Sequence, residues 1–549
     1  MVRTKEGTSM NFKGKMREKS GITLITLAVT IIILLILAGI TIATITSNNG
    51  IIKNANDTKE QTEIAEEKEI VDRATIQAMG NNKRGNLVQD ELQEQLDKET
   101  GEGKTEATDV GEEFEVAFID TKRYYIVDKD GNICEAQEII EDKSPGDITK
   151  DENGNSLKGD ESEPYEIWCI EDLVAFSNMV NGEGVIIENG KPVEINTSTT
   201  FSNHTVELKR NLNFKSKYSY ANSERTDFGD INGDENDGNT LINEMTTGTG
   251  FKPISDTHGE TSFKGIFDGN KNNIENIYIN RKTTAGLFGY ISGTKEIKNI
   301  NISGEIIATN GYAGGIIGYY NKGNSELDTN VINCTNKASI TSNGGNTIYW
   351  SENGVSGGIV GKIIGKLLID NCSNLGNISG EMAAGGIAGK GGYYIKNCSN
   401  AGTITSSGNT SNDSYAGGIV GGEYALTIYI ENCYNIGDIS AKKVAAGIIG
   451  GGTAGSVIIK NTYNMGNIKN ATTKKVMVGN ISSSITNGYY NSSLIDSTIT
   501  IDNGLIDISD KSVEEFINLL NSYRNDDEEA YPIDWKKWKL GENGYPIFE

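Results

Sequence analysis

The feature that most constrains this chain is a two-part block recurring through its second half. One part reads small-Gly-apolar-apolar-Gly, at Ala285–Gly289, Gly314–Gly318, Gly357–Gly361, Gly385–Gly389, Gly417–Gly421 and Ala446–Gly450. The closing glycines are 29, 43, 28, 32 and 29 residues apart, and a degenerate seventh copy ends at Gly479. The second part is more regular. Asn299, Asn333, Asn371, Asn397, Asn432 and Asn461 form one column, followed directly by Ile300, Cys334, Cys372, Cys398, Cys433 and Thr462. Six residues later comes Ile306, Ile340, Ile378, Ile404, Ile439 or Ile468, with Gly two residues before it in every copy but that of Ala338. Columns of this kind follow when coils stack about 4.8 Å apart, so that Ile lies on Ile inside and Asn amides hydrogen-bond along the stack. The pattern predicts a β-solenoid.

The repeat resembles the GLUG motif of bacterial surface proteins, whose A-G-G-[LI]-[VIF]-G and N-C-x-N-x-G halves are matched over about residues 250–495. That motif also occurs in some IgA-specific metallopeptidases, but their zinc-binding helix is missing from this sequence. The fold expected is mainly β: a right-handed β-solenoid preceded by a long N-terminal transmembrane or pilin-like α-helix and a small α+β unit. The cysteine column shares its slot with Ile300 and Thr462, so it reads as core packing rather than metal or disulfide chemistry.

A solenoid needs closed ends. Residues 164–280 supply an N-terminal cap and first coils, opening with an amphipathic helix at Ile170–Asn181. Residues 281–500 hold the repeats. Residues 501–549 form a C-terminal cap, with a capping box at Ser512–Glu515 and the aromatics Trp535, Trp538, Tyr545 and Phe548, expected as a lid over the last coil.

The N-terminus carries an address. Residues 1–21 form a basic leader with Arg3, Lys5, Lys13, Lys15, Arg17 and Lys19, in a chain whose net charge is −25. An uncharged run follows from Ile22 to Asn49, long enough to span a bilayer through residues 22–45. The stretch Gly21-Ile22-Thr23-Leu24-Ile25 resembles the processing site of type IV prepilins, which implies cleavage at the Gly21–Ile22 bond, with prepilin peptidase and pilus-type assembly machinery as partners. Thr26 stands where that family carries Glu, which implies a minor or tip subunit. Residues 22–83 are expected as transmembrane and stalk helix, 84–141 as a small pilin-like α+β unit with a helix near Gln89–Leu96 and strands at Phe114–Phe118 and Arg123–Val127, and 142–163 as a linker.

Chemistry is sparse. Two histidines, His204 and His258, exclude mechanisms needing three His ligands, and the acidic balance argues against nucleic acid. Asp230, Asn232 and Asp234 have the oxygen spacing of a calcium loop, although Glu235 and Leu241 depart from its sixth and twelfth positions, so calcium is the one cofactor with a candidate site. The polar insertion at Tyr320–Asn353 places Tyr349 and Trp350 in a loop that a scaffold would present to a ligand. No recurring acidic pair suggests a polysaccharide hydrolase or lyase. The expected function is that of a membrane-inserted cell-surface adhesin or surface-binding subunit with its bulk outside the cell, binding an extracellular glycan or protein. The alternatives are a carbohydrate-active enzyme on the same scaffold and an inert envelope spacer.

Overall fold

The computed structural model describes residues 51–82, 86–111, 113–133, 137–138, 146–151, 155–188, 191–226, 239–256, 262–323, 329–344, 353–408, 414–422, 427–523 and 535–549. The chain divides into two units, Met1–Glu138 and Ile139–Glu549.

In the first unit, helix α1 (Ile51–Asn81) and helix α2 (Gln89–Thr100) accompany an antiparallel sheet of β1 (Thr105–Asp109), β2 (Glu113–Phe118), β3 (Arg123–Asp128) and β4 (Gln137–Glu138) in that order. Strand β1 is an element the sequence reading lacked. Its Thr-Glu-Ala-Thr-Asp carries little apolar signal, and pairing with β2 defines it. The core joins Val71, Ala74 and Ala78 of α1 to Leu92 and Leu96 of α2 and to Phe114, Val116, Tyr125 and Val127 of the sheet. One buried polar cluster fastens α1. Glu67 accepts from Arg123 through Nε at 2.9 Å and through a terminal guanidinium nitrogen at 3.0 Å, and from the Tyr125 hydroxyl at 2.7 Å.

The expected single-pass membrane location is corrected here. Among the described residues no helix is long and apolar enough to cross a membrane. Helix α1 is long, but Lys59, Glu63, Glu66, Lys68 and Glu69 stud it with charges that hydrocarbon would strip of water. The expected span, residues 22–45, lies outside the described residues, as do Gly21 and Ile22.

The second unit is mainly β and solenoid-like. Among the described residues, one parallel sheet of 28 strands runs on through the corners of the coil, and a second parallel sheet has seven strands. A representative coil strings together Ala383–Gly385, Ala388–Lys390, Tyr394–Lys396, Ser399–Asn400 and Ile404–Ser406, each paired in register with its equivalent one coil on. The isoleucine column is a ladder in fact: Ile306, Ile340, Ile378, Ile404, Ile439 and Ile468 pair successively. All are buried, each worth about 1.5–3 kcal/mol of transfer from water. Cys334, Cys372, Cys398 and Cys433 are fully buried and free. Each thiol donates to the carbonyl two residues before it, at 3.0–3.3 Å.

The repeated glycines follow from how closely the coils stack. A Cβ at Gly402 would lie 1.9 Å from the Gly376 carbonyl oxygen, and one at Gly437 2.1 Å from that of Gly402.

Strand β5 (Tyr165–Ile167) and the strand Thr205–Leu208 begin the stack. Helix α3 (Ile170–Asn181) closes it, burying Leu173, Val174, Phe176 and Val180. The first coils are filled by Phe201, Phe263, Phe267 and Phe288 around Phe176, where later coils use isoleucine. Ile148, within the segment expected as linker, is fully buried in this core. A short helix, α4 (Leu241–Thr246), packs here too, and α5 (Val513–Ser522) starts at the expected capping box of Ser512 and Glu515. The aromatic lid departs from expectation. Trp538, Phe516, Phe548 and Leu520 lie on the flank against Tyr434, Tyr463 and Tyr489, one tyrosine from each of three successive coils. Coil tyrosines facing outward make the flank, not only the end, a surface that must be covered.

Candidate functional site

Three places in the second unit bring functional side chains together. A cleft of about 490 Å³ is lined by Asp160, Glu161, Ser162, His204, Lys264 and Lys295 among others. It forms where the turn before β5 meets the turns before three successive coil strands, Thr205–Leu208, Ile266–Asp268 and Glu296–Lys298. The His204 ring stacks on Tyr165 with centroids 5.3 Å apart and planes at 17°. Its Nδ1 is buried without a hydrogen-bond partner. Gly159, at φ +72°, permits this closeness, since a Cβ there would come 2.5 Å from the tyrosine ring. Asp160 accepts from the Ser162 N–H and hydroxyl and from the Glu163 N–H, and these bonds hold its carboxyl below the usual range. Its carboxylate is thereby committed to its own turn. Glu161 faces Lys295 at 3.7 Å. The cleft suits a small polar or charged group, and the sequence reading missed it because these first coils diverge from the repeat.

The second place is an outward charge ladder. Asp370, Lys396, Glu431 and Lys460 follow one another in register, with ion pairs of 3.3 Å (Lys396–Asp370) and 3.4 Å (Lys460–Glu431). Beside it Tyr394 and Tyr429 stack at 5.5 Å and 18°, and Tyr393 meets Tyr429 at 5.7 Å and 75°. The Tyr394 hydroxyl donates to Glu431 at 2.7 Å; burial first, and then that carboxylate, push its ionisation well up.

The third is the asparagine column, which proves to be two ladders. The outer one is the column at the corner. All six of its asparagines have φ between +46° and +58°, a left-handed conformation that Asn tolerates better than most residues. Asn333 donates to Asn299 at 3.0 Å, Asn432 to Asn397 and Asn461 to Asn432 at 2.8 Å. Between Asn371 and Asn397 the ladder turns aside, as Asn397 donates to Asp370 at 2.8 Å. The inner ladder, Asn336, Asn374, Asn400, Asn435 and Asn464, lies three residues on. Each amide donates to the next at 2.6–2.8 Å, and each also donates to a backbone carbonyl two residues ahead. Its signal in the sequence was the second Asn of N-C-x-N.

Of the residues singled out from sequence, Asp230, Asn232, Asp234, Tyr349 and Trp350 lie outside the described residues. Among the described residues no group of three or more His, Cys, Asp or Glu is placed to hold a metal ion.

No family model and no curated protein matches this chain. One solved structure does, a chain described as a putative immunoglobulin A1 protease from Bacteroides ovatus. It is 19% identical with a TM-score of 0.39, and the match covers 72% of this chain and 95% of that one.

Proposed function

We propose that this protein is a non-enzymatic binding protein of the adhesin kind, whose GLUG-like solenoid serves as a rigid display surface. The observation that carries the reading is the in-register pairing of the coils, which sets outward positions in rows along the axis at about one strand spacing, 4.8 Å, and repeats the corner asparagine in every coil from Asn299 to Asn461. A surface whose chemistry repeats along one direction is matched to an extended ligand that repeats likewise, a polysaccharide or a fibrous protein. Repeat proteins use such long faces for binding, while enclosed pockets are few. The prepilin-like segment belongs to the same reading, with Gly21–Ile22 as the bond a prepilin peptidase would cut.

The test is binding of the full-length chain to arrays of glycans and fibrous matrix proteins, run beside a reducing-sugar release assay. Saturable binding without product release is expected. Release of sugar ends at an enzymatic rate, or no binding to any member of either array, would overturn the proposal.

A further inference from the structure

The outer asparagine ladder has a covered half and an open half, and the covered half shows what its amides can do for a second chain. Asn397, Asn432 and Asn461 are 2%, 0% and 0% exposed. The protein's own C-terminal segment lies on them. The Lys536 N–H donates to Asn397 Oδ1 at 3.3 Å, and Asn432 Nδ2 donates back to the Lys536 carbonyl at 3.2 Å. The Trp538 indole N–H donates to Asn432 Oδ1 at 2.8 Å, and Asn461 Nδ2 donates to the Leu520 carbonyl at 3.1 Å. A rung already bonded within the ladder therefore keeps a donor and an acceptor for an outside partner.

In the open half, Asn333 is exposed, and Asn299 and Asn371 are half-buried. What differs between the halves is the neighbouring column. Along one register it reads Asn301, Thr335, Ser373, Ser399, Tyr434, Tyr463 and Tyr489. Where that column is tyrosine, Trp538 and Phe548 cover it. Where it is Thr335 and Ser373, both half-buried, no segment of the described residues lies over it. Of the adjoining charges, Lys298 is taken up by Asp268 and Glu296, and Lys396 by Asp370. Leu375 adds an apolar side chain 52% exposed at the strip's edge.

We infer that the strip Asn299–Asn333–Asn371 with Thr335 and Ser373 is a binding site for an extended neutral polysaccharide. Amides and hydroxyls in two parallel rows supply donor and acceptor together at each rung, which is what sugar hydroxyls require, and an exposed leucine suits the apolar face of a sugar ring. A polypeptide with aromatic side chains would be matched instead to the tyrosine half, which is already occupied. The assignment rests on the binding role proposed above and specifies its ligand.

The test titrates the full-length chain with neutral oligosaccharides of the cellulose, xylan, mannan and chitin types, and with a polyuronate and an unstructured polypeptide for comparison. Asn333→Gly with Asn371→Gly removes two rungs yet keeps the left-handed backbone; Thr335→Val with Ser373→Ala removes the hydroxyl row at half-exposed positions, should the first pair disturb folding. Each pair is expected to weaken binding of a neutral glycan by about tenfold or more, at roughly fivefold per hydrogen bond, with the melting temperature kept. Trp538→Phe, on the covered half, should leave the affinity unchanged. Preference for the polyuronate or the polypeptide, or neutral-glycan binding indifferent to both pairs, would overturn the assignment while leaving the binding role standing. Absence of binding to every glycan and protein would remove both.

Discussion

Replacing Asn400 with alanine tests the inner ladder directly. The Asn400 side chain is fully buried and makes three hydrogen bonds: it accepts from Asn374 at 2.7 Å and donates to Asn435 at 2.6 Å and to the Gly402 carbonyl at 2.9 Å. Alanine removes all three and leaves an amide hydrogen, an amide oxygen and a carbonyl without those partners in the core. At about 1–3 kcal/mol for each buried unsatisfied group, the gross cost is several kcal/mol. Two effects reduce it: the lost amide no longer has to be desolvated, and a water admitted to the space would find three polar partners. The net destabilisation expected is about 3–5 kcal/mol. By contrast Asn333→Ala, on the outer ladder at an exposed rung, should cost about 1–2 kcal/mol, mainly the strain of alanine at φ +55°. Equilibrium urea unfolding followed by circular dichroism measures both, as shifts in midpoint at unchanged slope. An Asn400→Ala variant within about 1 kcal/mol of the parent, or no more affected than Asn333→Ala, would refute the view that buried amide ladders hold these coils in register.

Other consequences are as direct. Burial pushes the thiols of Cys334, Cys372 and Cys398 well up, so a thiol reagent at neutral pH should leave the whole buried column unlabelled in the native chain and label it on unfolding; rapid native labelling would contradict the core role. Glu67→Ala would leave Arg123 only its bond to Glu63 and the Tyr125 hydroxyl only its bond to the Ile64 carbonyl beneath α1, and a loss of about 2–3 kcal/mol in the first unit's unfolding is expected, checked by hydrogen exchange in α1. Burial raises the Glu171 carboxyl of α3 against the bonds it accepts from the Ala221 and Asn222 N–H groups. A raised folded value means that stabilisation is present below the ordinary carboxylate range and lost as pH rises through the raised value. The unfolding midpoint should therefore fall as pH rises above the ordinary carboxylate range, and a slope unaltered in Glu171→Gln would place its origin elsewhere.

How much was legible beforehand differs between the two units for a physical reason. In the solenoid, each coil meets only its neighbours and the same slot recurs, so packing requirements are written as columns. Ile306 through Ile468, the buried cysteines and the stacked glycines could all be read without coordinates. In the first unit the long-range partners leave no periodic trace. Strand β1 and the Glu67–Arg123–Tyr125 cluster join residues whose pairing no local pattern announces. The flank is intermediate. Its final tryptophan was singled out, but the sequence reading set the C-terminal aromatics over the end of the stack, whereas the structure lays them along its side. That choice belongs to tertiary packing, because Tyr434, Tyr463 and Tyr489 become one continuous apolar surface only once three coils are stacked.

The sequence alone, then, determined the coil, its period and its inward-facing residues, since these depend on register between neighbours that repeat. Only the tertiary structure decided which asparagines are buried amides and which are exposed rungs. The two columns are chemically identical and three residues apart. Their environments diverge because one points into the stack and the other turns the corner with a left-handed backbone, and because the C-terminal segment covers Asn397, Asn432 and Asn461 while leaving Asn333 to solvent.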